Sequence, residues 1–285
     1  MKKKRRRKKP DIKDRIRAVL IAASAIGAAG VISLLMFCRA PAPKLEPPSI
    51  PAPAPVPERP ASKGILAIVI DDAGNNLRDL EPFLELDMPL TIAVLPGLSN
   101  SVEAARRVRM AGKELFLHQP MEAQGGRNPG PSAIMAGMGK DEIRAIIGRN
   151  LDEIGPVTGI NNHEGSRVTM DAEAMDTILA LCRERGLVFL DSRTTADTAA
   201  PASAGRLGML IGERDVFIDN NPDREAMKNS IEGGLIKAGQ NGTAIMIGHT
   251  GSSALAPLLA ELSVELRERG YSFSTVSLLL KNKSL

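Results

Sequence analysis

Tryptophan is absent from the 285 residues, and Tyr271 is the single tyrosine. Aromatic faces carry much of the apolar contact area in clefts that hold ring-shaped ligands, so a long groove paved with aromatics is poorly supported and a short or small ligand is favoured. Cysteine is nearly missing too. Cys38 and Cys182 make no disulfide framework, and Cys182, in the apolar helical run ILALC, reads as a small buried hydrophobe. No G-x-G-x-x-G follows the first predicted strand and no P-loop occurs, which argues against nucleotide binding. The formal net charge of +4 misleads, because residues 1–60 hold 14 Lys/Arg against 4 Asp/Glu while residues 61–285 hold 23 against 29. The later part is acidic, and nucleic-acid binding loses its electrostatic support.

What is present divides the chain into segments. Residues 1–17 form a basic tail, and residues 18–38 are uncharged and apolar for 21 residues. At about 1.5 Å per residue, that run spans a hydrocarbon core of roughly 30 Å and is expected to be a transmembrane helix. It exceeds the h-region of a cleaved leader, about 7–15 residues, and no small-x-small site precedes Arg39. Met36 and Phe37 also lack the small side chains of a lipoprotein signal before Cys38. The charge asymmetry puts the N-terminus in the cytoplasm. The expectation is a single-pass inner-membrane protein whose C-terminal domain is periplasmic. Residues 39–62, rich in proline, are expected to form an extended semi-rigid linker.

From residue 63 to 285, apolar strand-like runs alternate with helical patterns, the mark of an α/β fold with a mostly parallel sheet. Strands are predicted at 65–70, 90–95, 114–117, 159–161, 188–190, 216–218, 244–247 and 272–276. Helices are predicted at 77–86, 99–111, 140–154, 171–185, 224–238 and 253–269. Eight β units in this length suggest an irregular (β/α) barrel of about seven to eight strands rather than an open nucleotide-binding sheet.

The polar residues of this pattern fall at strand ends. Asp71 and Asp72 end the first strand, His118 the third, Asn161-Asn162-His163 the fourth, Asp191-Ser192 the fifth, Asp219-Asn220-Asn221 the sixth and His249 the seventh. Asp71 and Asp72 alone would suit a turn or helix cap. All three histidines of the chain at equivalent strand ends, beside that pair, point to a metal site on the face where barrel active sites lie. A divalent ion such as Zn²⁺, held by Asp72, His118 and His163, would leave Asp71 as base and His249 as acid for hydrolysis.

The motifs IDDAG (70–74), LHQPME (117–122), NNHEGSR (161–167), FLDSRTT (189–195) and IGHTG (247–251) together resemble the polysaccharide deacetylases, specifically their divergent, membrane-tethered Gram-negative branch. The resemblance covers about 63–280. It implies a distorted (β/α) barrel and metal-dependent removal of N- or O-acetyl groups from a carbohydrate or small acetylated substrate. The family's Asp-Asp motif makes Asp71 the base and Asp72 a ligand. Two departures stand out. Ordinary members take both metal histidines from one H-x-x-x-H turn, but here Glu122 occupies the second position, so His163 or Glu122 completes the site, with His163 favoured. The usual Arg-x-Pro-Tyr motif is absent, leaving Arg167 or Arg193 to orient the base. Asn162, Ser166, Arg167, Asp191 and Arg193 are expected to bind substrate or brace the ligands. Residues 124–131 read as a flexible loop, with a lid as the alternative. A binding or regulatory module without turnover, and an amidohydrolase acting on a non-sugar substrate, are the competing readings.

Overall fold

The computed structural model describes residues 62–283. The expected tail, span and all but the end of the linker lie outside these residues; among the described ones, no helix is long and apolar enough to cross a membrane. In chain order the elements are β1 (Gly64–Ala73), α1 (Leu77–Leu84), β2 (Thr91–Val94), α2 (Ser101–Met110), β3 (Glu114–Met121), α3 (Lys140–Ile154), β4 (Gly159–Glu164), α4 (Ala172–Glu184), β5 (Val188–Asp191), α5 (Ala200–Leu207), β6 (Gly212–Glu213), β7 (Val216–Phe217), α6 (Arg224–Asn241), β8 (Thr243–His249), α7 (Leu255–Glu268), β9 (Tyr271–Ser274) and α8 (Val276–Lys283).

All strand pairings are parallel, in the order β6-β5-β4-β3-β2-β1-β8-β7. β8 takes one edge of β1. The other edge is shared, β9 pairing with Gly64–Ala67 and β2 with the C-terminal half. β6 and β7 belong to one run, residues 212–217, which changes partners midway. Its first part pairs with β5, Arg214 N–H donates to Asp191 O at 3.0 Å, and Asp215 N–H then donates to Ile245 O at 2.8 Å on β8. The sheet therefore curls until one irregular run joins its two edges, a barrel-type arrangement with a kinked closing strand.

Alternation along the strands sorts the core into two layers. Leu66, Ile68 and Ile70 of β1 face outward into the layer shared with the helices. Ala67 and Val69 face inward with Ala93, Phe116, Leu190, Ile245 and Ile247. Val276, Leu279 and Leu280 of α8 join that inner cluster and plug the end of the barrel at which the strands begin. Gly159 is required there: a Cβ would lie 2.5 Å from Phe116 Cζ and 2.7 Å from Val188 Cγ2.

All eight predicted strands are present. The strand expected at 272–276 stops at Ser274, two residues before α8 begins, and α5, β6 and α8 were not anticipated. The α5 sequence, APASAGRL, has the Ala/Gly/Pro composition of a loop, but its proline sits in the first turn, where a missing N–H costs nothing. β6 has only two residues, too few to show a period.

Candidate metal and acid–base site

The inward rows continue upward into a polar layer. Two residues beyond Val69, Phe116, Gly159, Ile247 and Phe217 stand Asp71, His118, Asn161, His249 and Asp219. Each inherits the inward direction of the residue two places before it, so the barrel core is topped by acids, amides and imidazoles.

Asp72 needs a different device. Neighbours in a regular strand face opposite sides, yet both carboxylates reach His118. Between Ile70 and Ala73, β1 carries one residue more than β2, a bulge, and Asp72 takes φ 63°. A non-glycine residue in the left-handed region is strained, typically by about 1–3 kcal/mol, and such strain concentrates at functional sites. The bulge brings Asp72 Oδ1 to 3.2 Å from His118 Nε2 and 3.0 Å from His163 Nδ1. Asp71 Oδ2 lies 3.7 Å from His118 Nε2. The two imidazole nitrogens are 3.1 Å apart.

These three ligand atoms lie within 4.8 Å of one another. Asp72 Oδ1 is buried and has no hydrogen-bond partner despite its two close nitrogens. An orphaned buried oxygen costs about 1–3 kcal/mol, more when charged. A cation among one carboxylate and two imidazoles relieves that cost, and the donor set suits a divalent ion of the Zn²⁺ type. Asn161 prepares His118 for the task. Its Nδ2 donates to Asp71 Oδ1 at 2.9 Å, which turns its Oδ1 toward His118 Nδ1, also at 2.9 Å. Nδ1 thus carries the proton and Nε2 keeps its lone pair on the side of Asp72.

Electrostatics separate the two carboxylates. Burial raises the pKa of Asp71, outweighing His118 and His249. Burial also opposes ionisation of Asp72, but its two histidine neighbours hold it well below the usual carboxylate range. Opposite His118, the backbone N–H and ring Nδ1 of His249 both meet Asp219, at 2.8 and 2.9 Å. Burial disfavours the charged His249 ring, yet Asp219, then Asp71 and Asp72, hold its pKa up at about 9. Phe217 stacks on His249, with centroids 5.6 Å apart at 27°, and the Arg214 guanidinium lies 3.7 Å over the Phe217 ring. Asp71, Asp72, His118, His163 and His249 line one cavity of about 210 Å³.

The other expected residues have different partners. Glu122 accepts from Arg167 at 2.7 Å and from Ala136 N–H at 2.8 Å, so it is engaged away from the cluster. Arg167 therefore faces Glu122, and Arg193 pairs with Glu213 at 3.1 Å. Neither arginine orients Asp71; Asn161 holds that carboxylate. Asn162 lines the cavity and braces its rim, donating to Glu164 O at 2.7 Å and accepting from Ser192 N–H at 2.8 Å. Ser166 Oγ accepts from Gln124 N–H at 2.9 Å. Asp191 is buried, accepts from Arg193 N–H at 2.8 Å, and has its pKa raised by burial. Sequence reasoning assigned no task to Asn161, Asp219, Phe217 or Glu164, although the two-residue period above the inner core points to the first two.

The chain is 30% identical over 190 residues to YibQ of Escherichia coli K12, covering 67% of this chain and 60% of that protein. A Haemophilus influenzae protein is 26% identical over 197 residues, covering 69% of this chain and 70% of its relative. The crystal structure of ATU2773 from Agrobacterium tumefaciens C58 superposes with a TM-score of 0.71 at 25% identity, covering 78% of this chain and 92% of that one. The profile of the divergent polysaccharide deacetylases matches residues 68–280, and the chain belongs to that family.

Proposed function

We propose that this domain is a divalent-metal-dependent hydrolase, using Zn²⁺ or a similar ion, that removes acetyl groups from a carbohydrate of the cell envelope. The observation that carries the reading is the buried, unpartnered Asp72 Oδ1 facing His118 and His163, with Asn161 fixing the tautomer of His118. Family membership supports a carbohydrate as the substrate class. The apolar run at 18–38 and the proline-rich residues after it support a periplasmic domain tethered to the inner membrane.

Asp72, His118 and His163 would hold the ion, which when bound polarises a carbonyl and acidifies water. Asp71, kept basic by burial, takes the proton of the attacking water. His249, kept protonated by Asp219, gives its proton to the departing sugar nitrogen or oxygen. The acyl C–N or C–O bond breaks, and acetate and the free amine or hydroxyl leave. Among the described residues, Phe217 is the one Phe, Tyr or Trp lining the cavity, which fits a short substrate. The missing Arg-x-Pro-Tyr motif and the scarcity of aromatics favour, as a second reading, a binding or regulatory module that turns nothing over.

Acetate release from acetylated chito-oligosaccharides by the Zn²⁺-loaded full-length chain separates the two. Turnover lost by about 10²–10⁴-fold in Asp71→Asn and His249→Gln supports the hydrolase. Binding without acetate release supports the module.

A further inference from the structure

Beside the catalytic cavity lies a second compartment of about 260 Å³, lined by Ala123, Gln124, Arg127, Glu164, Ser166 and Thr194. Arg127, Glu164 and Thr194 line both, so the two spaces adjoin along these side chains. Glu164 directly follows the candidate ligand His163, and its backbone is held in a costly shape. Its φ is 52°, and its carbonyl is clamped by Asn162 Nδ2 at 2.7 Å and Thr194 Oγ1 at 2.8 Å. Two side chains hold a strained non-glycine residue, and the result is a carboxylate in the wall between the two spaces.

That carboxylate is poorly satisfied. Oε2 is buried with no hydrogen-bond partner, and Oε1 has one, Arg127 Nη1, at 3.3 Å. The Arg127 side chain is 81% exposed, so its attraction is weakened by solvent. It follows Gly125 and Gly126, both at positive φ with open space around them. A carboxylate accepts but does not donate, and charge-assisted hydrogen bonds are about twice as strong as neutral ones. The position already attracts a cation. The remaining polar side chains of the compartment, Gln124, Ser166 and Thr194, are neutral.

We infer that this compartment binds the sugar unit next to the one losing its acetyl group, and that Glu164 selects a unit bearing a free ammonium. The inference rests on the deacetylase reading. Removal of an N-acetyl group exposes an amine, so the compartment favours a substrate already deacetylated at the neighbouring position. Arg127 holds the place of the ammonium until it arrives.

The test uses the full-length Zn²⁺-loaded chain with N,N′-diacetylchitobiose and its two mono-deacetylated forms, measuring binding by calorimetry and acetate release in parallel. One mono-deacetylated form should bind about tenfold or more tightly than the diacetyl sugar. Glu164→Gln should erase that preference, and Arg127→Ala should retain or increase it, each variant being checked for an unchanged melting temperature. Equal binding of all three sugars, no binding of any, or a preference that survives Glu164→Gln overturns the inference. A preference without acetate release leaves the compartment standing and removes the hydrolase reading instead.

Discussion

Asp219 grips His249 at two points, one oxygen accepting the backbone N–H at 2.8 Å and the other the ring Nδ1–H at 2.9 Å. The imidazole is thereby fixed with its other nitrogen free, and its charged form is favoured up to a pKa of about 9. Proton donation requires that charged form, so activity should fall above about pH 9. On the acid side it should fall as Asp71, whose pKa is raised by burial, becomes protonated and no longer accepts a proton. Asp219→Asn removes the nearest negative charge, and the alkaline limb should move down by about one unit or more. An NMR titration of His249 in the metal-free chain should show the same downward shift. An unmoved titration would dissociate Asp219 from the acid role.

Asn161 links Asp71 to His118 through two bonds of 2.9 Å. Asn161→Ala releases the tautomer of His118 and leaves Asp71 without its amide partner. Affinity for Zn²⁺, measured by competition with a chromophoric chelator, should fall about 10–100-fold while the fold persists. Unchanged affinity would mean that packing alone orients His118.

Gly159 faces Phe116 and Val188 inside the barrel, with no room for a Cβ. Gly159→Ala should destabilise the domain by about 1–3 kcal/mol, lowering Tm by roughly 2–4 °C per kcal/mol. Shortening the opposing ring in Phe116→Leu/Gly159→Ala should recover part of the loss. An unaffected Tm would contradict the close-packed inner layer.

The fold was readable where hydrophobic period and element length agree. β1, with its apolar run ending in Asp71 and Asp72, is the clearest case, and it runs three residues further than expected because the bulge carries pairing past the two acids. α5, β6 and α8 escaped notice because the first has the composition of a loop, the second has two residues, and the third begins in the run read as the last strand. In the site, strand ends were enough to bring together Asp71, Asp72, His118, His163 and His249. The bracing residues were less visible. Asp219 meets His249 only because β7 pairs with β8, and spacing along the chain does not show which strands become neighbours. Arg167 and Arg193 were chosen for their charge, but each lies beside a nearer carboxylate, Glu122 or Glu213.

Metal content tests most directly whether a divalent ion sits between Asp72, His118 and His163. The full-length chain, supplied with Zn²⁺ and dialysed, should retain about one equivalent, as expected for a single site with three protein ligands. His118→Ala and His163→Ala should lose it, and Glu122→Ala should keep it because Glu122 is occupied by Arg167 and Ala136. A folded parent that retains no metal, or a Glu122→Ala variant that alone loses it, would contradict the account.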